Sequence, residues 1–166
     1  MRVPAMVRCP GKVPAGVVTE EMLSAQDWYK TFAALAGAFD KVPTDRPMDG
    51  VDASAFLLGA GERTGRETLL FFRPDGSLMS SKWRNVKAVF RHAEGVSEPI
   101  VETQFPMFFD LGSDPSERYN LFEMKLDMGW MFGVVYPAIT EYRKSIAEYP
   151  NIPPGADFNG YPKKSK

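Results

Sequence analysis

Cysteine and histidine are the scarcest chemically versatile side chains in this 166-residue sequence, which holds one of each, Cys9 and His92. A lone cysteine closes no internal disulfide and builds no multi-cysteine metal site. A lone histidine leaves little for imidazole-based zinc binding or for a Ser-His-Asp relay. Charge of either sign is also lacking in excess, because the formal net charge is -1. Composition therefore predicts binding to neither nucleic acid nor a membrane surface. The longest apolar run, 128 to 139, is too short and too interrupted by glycine and proline to span a bilayer. The opening "MRVPAMVRCPGKVP" has prolines where a secretory leader needs an unbroken apolar core, so no signal peptide is expected within it. There is no G-x-S-x-G, no H-E-x-x-H and no internal repeat.

Core material, by contrast, is plentiful, at 44% hydrophobic and 13% aromatic residues. A chain of this size fits one domain, or one compact domain with an extension, and buries roughly 70% of the surface its unfolded form exposes. Residues 2 to 9 read as a short strand ended by Pro10-Gly11. Ser24, followed three residues later by Asp27, is an acidic variant of the capping box. The helix it opens would carry Trp28, Phe32, Leu35 and Ala36 on one face and stop at Gly37. Residues 40 to 66 read as connecting chain rich in Pro, Asp and Gly.

Strand patterns follow. "TLLFFR" (68 to 73) runs into the turn Pro74-Asp75-Gly76, and "SKWRNVKAVFR" (81 to 91) reads as a second, long strand. A looser segment, 92 to 105, precedes the strand "MFFDL" (107 to 111). Short links favour an antiparallel sheet. Met128, Phe132, Val135, Ile139, Tyr142, Ile146 and Tyr149 then alternate by four and three, the stripe of a helix that packs on the sheet. Pro137 predicts a kink or break near Val134 to Pro137.

Several residues invite a functional reading. Cys9 has no second cysteine to resolve it and reads as a buried strand cysteine. "GAGERTG" (59 to 65) has the spacing G-x-G-x-x-x-G rather than that of a nucleotide loop, and is expected to be a flexible connection. Lys82, Arg84, Lys87 and Arg91 surround Trp83, a mixture of bases and aromatic that could stack an anionic ligand. By period-two alternation they would instead divide between the two faces of a partly solvated strand. Lys87, Arg91 and His92 are the candidates for holding a sulfated or phosphorylated compound. In "PMFFDLGSDPSERYNLF" (106 to 122), acids, a base and a hydroxyl crowd a turn. Phe109 and Leu111 would share one strand face and Phe108 the other. Glu117 and Arg118 would satisfy exposed backbone or each other for about 0.5 kcal/mol, so this stretch reads as turn chemistry.

The order of the blocks "RVPAMVRCPGKVPAG", "SAQDWYKTFAALAGA", "MDGVDASAFLLG", "KWRNVKAVF" and "FFDLGSDPSERYNL", closed by "IPPG", resembles the C-terminal part of type I, formylglycine-dependent sulfatases, bacterial arylsulfatases in particular. It extends over residues 2 to 158. The resemblance implies an α+β fragment: residues 1–40 as the last strand and helix of an alkaline-phosphatase-like α/β catalytic domain, 41–65 as a linker, 66–150 as an antiparallel C-terminal domain of about four strands against a long helix, and 151–166 as an extended Pro-rich tail.

It also implies a chemistry whose residues this chain lacks. Family members use a formylglycine made from a C-x-P-x-R-type motif and a calcium ion held by Asp and Asn. Here Pro10 directly follows Cys9 and no arginine takes the fourth place. No catalytic, cofactor or metal residue is carried over. Lys30 stands where the family's helix block usually has proline. The expectation is a C-terminal fragment of an arylsulfatase-like sulfuric ester hydrolase, inactive alone, with a standalone oligomerising interaction module as the alternative. Its expected partners are further copies of itself or a missing N-terminal sulfatase half, with neither nucleic acid nor membrane. Full-length bacterial relatives are often periplasmic or secreted, which leaves the location of this chain open.

Overall fold

A computed structural model describes residues 3–45, 47–93, 95, 97–124, 129–152 and 155–157. The chain forms two compact units, Met1–Arg66 and Glu67–Lys166.

The first unit is built on helix α1, Asp27–Leu35. The acid of the expected capping box performs half of that motif, because Asp27 Oδ2 accepts the Ser24 N–H at 2.7 Å. At the other end Gly37 takes φ 69, a left-handed conformation that costs glycine nothing. The Gly37 N–H then reaches Ala34 O and the Ala38 N–H reaches Ala33 O, the paired bonds of a Schellman stop.

The buried face of α1 differs from the expected one. Phe32 is 58% exposed, with its ring stacked on Trp28, whereas Asp27 and Thr31, four residues apart, are fully buried. The reason lies in what covers the helix. Residues 48 to 53 lie along it and bring backbone N–H groups that need acceptors. Asp27 Oδ1 accepts from Val51 at 2.8 Å and Thr31 Oγ1 from Ala53 at 3.0 Å. A Cβ at Gly50 would stand 2.2 Å from the Gln26 carbonyl oxygen, so only glycine permits this approach. Lys30 donates to Met48 O at 3.1 Å.

Arg66 closes the arrangement. Its Nε donates to Asp27 Oδ2 at 2.7 Å, one Nη bonds Asp27 Oδ1, and the same Nη donates to Asp49 O at 2.7 Å. Residues 41 to 65, read from sequence as a linker, thus lie inside the first unit. They follow a short 3-10 turn, Phe39–Lys41, and include the single-turn helix α2, Ser54–Leu57.

Residues 3 to 9, expected as a strand, join no ladder, and Cys9, expected to be buried, is exposed. A strand exists through its partner's donors and acceptors, and no described segment supplies them here.

The second unit carries the expected antiparallel sheet, in the order β1-β2-β3-β4: Thr68–Phe72, Leu78–Trp83, Val86–His92 and Val101–Asp110. The stretch 81 to 91 is a hairpin rather than one strand, since Trp83 pairs with Val86 across a two-residue turn. Arg84 there takes φ 50, and its guanidinium lies 4.7 Å from the Trp83 ring centre. β4 begins well before Met107. Pro106 has no N–H to give and interrupts its ladder to β3. Between the pairs Val89–Met107 and Arg91–Glu102, β3 advances two residues and β4 five. Thr103 Oγ1 bridges part of this bulge by donating to Phe90 O at 3.0 Å.

Helix α3, Leu121–Met124, leads toward α4, Trp130–Glu148. Met131, Val135 and Ile139 of α4 bury themselves against Val86, Ala88 and Phe108. The Phe108 ring meets Phe132 edge-on at 5.2 Å. α4 passes through Pro137 without the expected break. Pro137 and Gly133 are both exposed, so the carbonyl left without its helical donor is open to solvent. Met128 of the expected stripe, Pro153 and Pro154 of "IPPG", and residues 158 to 166 of the tail lie outside the described residues.

Burial opposes ionisation of Asp27, but Arg66 and the N–H groups of Val51 and Ser24 more than compensate and hold its pKa below the ordinary aspartate value. A depressed native pKa contributes stability that is present above the unfolded pKa and lost as pH falls through the native one. Urea denaturation should show stability constant from neutrality to about pH 5 and falling below about pH 4. Asp27→Asn should remove that contribution and cost about 3–5 kcal/mol at neutral pH, because Arg66 is left buried without its counter-charge.

Candidate functional site

The segment joining β4 to α3 concentrates ionisable and hydroxyl side chains. Asp110 Oδ1 accepts the Gly112 N–H at 2.9 Å, while Ser113 Oγ donates to Asp110 Oδ2 at 3.2 Å. Asp114 Oδ2 accepts the N–H groups of Arg118 at 2.7 Å and Tyr119 at 2.9 Å. Asn120 Oδ1 accepts from Phe108 at 3.0 Å and from Phe122 at 3.2 Å, and so joins β4 to the start of α3. Every one of these acceptors is spent on backbone or on a neighbouring hydroxyl.

Glu117 departs from its expected role. It does not pair with Arg118; its two carboxylate oxygens lie 2.7 Å from Lys87 Nζ on β3. The residue takes φ 55 in the turn, an uncommon conformation outside glycine. Lys82 sits directly opposite Lys87 across the β2–β3 pairing, so Glu117 places a negative charge where two cations face each other.

The basic run divides according to the hairpin. Arg84 pairs with Glu67 at 2.6 Å. Arg91 donates to Leu78 O at 2.9 Å and pairs with Glu102 at 3.0 Å. His92 lies opposite Val101 at the end of β3, with a buried Nδ1 that has no partner among the described residues. Lys87, Arg91 and His92 therefore do not converge. Arg91 lines a cavity between the bulge of β4 and α4, whose lining includes neither of the other two. Gln104, Tyr136 and Arg143, which line the same cavity, were missed from sequence. The available signal was the seven-residue spacing of Tyr136 and Arg143 beside the apolar stripe.

In the first unit, Thr64 Oγ1 donates to Met22 O at 2.6 Å and is buried, which ties down the loop 59 to 65. A cavity of about 510 Å³ there is lined mainly by Val, Pro, Leu and Phe side chains, among them Val7, Val17 and Phe56. Calcium is coordinated by six to eight oxygens, several of them carboxylate. Among the described residues no three His, Cys, Asp or Glu side chains are grouped to hold a metal. Among the described residues, then, the donor set does not fit a calcium ion. Nor does any described helix have the length and apolarity to cross a membrane.

No protein-family model matches the sequence. Among characterised proteins it is similar to arylsulfatase G of Homo sapiens, at 32% identity over 160 residues, covering 89% of this chain and 28% of that protein. Arylsulfatase A of Bos taurus is 36% identical over 139 residues, covering 74% of this chain and 26% of its own length. N-acetylgalactosamine-6-sulfatase of Canis lupus familiaris is 30% identical over 167 residues, covering 88% and 31%. This chain thus spans less than a third of the length of these relatives. In fold it is similar to the PsFucS1 sulfatase from Pseudoalteromonas sp., with a TM-score of 0.72 at 22% identity over 86% of this chain and 29% of that one.

The double acceptor role of Asn120 has a measurable consequence. Asn120→Ala should cost about 1–3 kcal/mol in chemical denaturation, because the Phe108 N–H loses its acceptor beside the core. Asn120→Asp, which keeps an acceptor oxygen, should cost less than half as much at neutral pH.

Proposed function

Because the chain belongs to the sulfatase family and corresponds to its C-terminal portion, we propose that it supplies the non-catalytic C-terminal part of an arylsulfatase-like sulfuric ester hydrolase and does not hydrolyse sulfate esters alone. The observation that carries this is the asymmetry of coverage: similarity extends over 89% of this chain but 28% of the relative. Two features of the chemistry support it. No cysteine or serine in the sequence is followed by x-Pro-x-Arg, and the Asp110 and Asp114 carboxylates of the turn hold backbone while Glu117 is paired with Lys87. The role left to these residues is structural. The sheet and α4 form a self-contained core, and the turn 110 to 120 fixes how β4 hands over to α3.

Incubation of the purified chain with an aryl sulfate and calcium should give no turnover above the uncatalysed rate. Turnover that is abolished by Cys9→Ala would overturn the proposal.

A second reading, self-association, is favoured by the arm before α1. Met6 is 98% exposed and Val18 95%, with Val3 and Val17 also open to water. Exposed apolar residues on chain without a sheet partner favour pairing with another copy. Light scattering at micromolar concentration should then give a mass above that of the monomer, reduced by Met6→Asp combined with Val18→Asp. A monomer mass for the unaltered chain excludes this reading and leaves the first intact.

A further inference from the structure

The cavity between the bulge of β4 and α4 holds about 250 Å³. It exists because β4 spends three more residues than β3 between successive pairs, which opens the sheet just where α4 crosses it. Tyr136, Ile139 and Arg143 recur at helical spacing and present one stripe of α4 to this gap. From the sheet side come Phe90, Arg91 and Glu102, with Gln104 from the bulge itself.

Its polar groups are unequally committed. Arg91 is anchored, since Nη1 donates to Leu78 O and Nη2 pairs with Glu102. A guanidinium has five N–H donors, so three remain after these bonds. Among the described residues, Arg143 has no ion-pair partner, and the Tyr136 hydroxyl and Gln104 amide have no hydrogen bond. Two guanidinium groups face one carboxylate, which leaves the lining one positive charge in excess. Phe90 and Tyr136, edge to face at 6.2 Å, and Pro106 supply flat apolar surface beside these donors.

We propose that this cavity binds a small, single-ring organic monoanion, with the oxyanion held by Arg143 and Arg91 and the ring against Phe90 and Tyr136. The excess charge selects one negative charge, and planar guanidinium forks suit an oxyanion with two exposed oxygens. The volume lies below the range of about 300–1,000 Å³ usual for drug-sized ligands, which limits the occupant to one ring. The site does not depend on the chain's place in a sulfatase, because no hydrolysis is required of it.

Calorimetric titration of the intact chain with benzoate, phenyl sulfate and the neutral benzyl alcohol tests the proposal. At least one of the two anions should bind saturably, and about tenfold more tightly than the alcohol. Arg143→Gln should weaken that anion about tenfold while leaving the melting temperature and the response to benzyl alcohol unchanged. Tyr136→Phe, which keeps the ring, should weaken it by a smaller factor. Whichever anion binds more tightly identifies a planar or a tetrahedral head group. Failure of both anions to saturate by about 30 mM overturns the site. Equal binding of the neutral alcohol, or an Arg143→Gln protein of unchanged affinity, overturns it as well. Anion binding without hydrolysis of phenyl sulfate would uphold the site whatever becomes of the catalytic proposal.

Discussion

The carboxylate of Asp27 is the interaction on which the first unit depends. It is fully buried, and it accepts from the N–H groups of Ser24 and Val51 and from the Arg66 guanidinium. These donors come from before α1, from the segment crossing it and from the end of the unit. One side chain thereby fixes three passages of chain that are far apart in sequence. A buried ion pair contributes little net stability relative to an apolar replacement, because desolvation offsets most of the attraction. Its effect is to make the geometry single-valued: if any of these passages shifts, a buried charge or donor loses its partner.

A similar constraint governs the second unit. Asn120 accepts the Phe108 N–H, Asp114 the N–H groups of Arg118 and Tyr119, and Thr103 caps a carbonyl freed by the bulge. Polar residues that a motif search would flag as reactive are, in this chain, completing the backbone's hydrogen bonding. The apolar contribution is conventional and larger. Phe108, Val135 and Ile139 are essentially inaccessible to water, and burying each such side chain is worth about 1.5–3 kcal/mol.

The ordered blocks that carry the resemblance correspond to these structural devices. The "MDGV" block carries Gly50, whose missing side chain admits the backbone against α1, and Val51, whose N–H Asp27 accepts. The "FFDLGSDPSERYNL" block is the turn with its acceptors Asp110, Asp114 and Asn120. Lys30, in the block that contains α1, contributes a bond of its own to Met48.

Much of this was open to reading from the sequence, because it rests on local periodicity and turn chemistry. The stripe through Phe132, Val135 and Ile139 located α4, Pro74-Asp75-Gly76 located the first hairpin, and Gly37 located the end of α1. What the tertiary structure decided are features set by partners distant in sequence. Arg84-Asn85 turns without glycine or proline because pairing on both sides enforces it. Pro106 hides the first half of β4 from any alternation pattern and creates the bulge that opens the cavity. Phe32 lies outside and Asp27 inside because the segment laid on α1 brings N–H groups, and a buried N–H demands an acceptor where a buried phenyl ring would leave it unsatisfied.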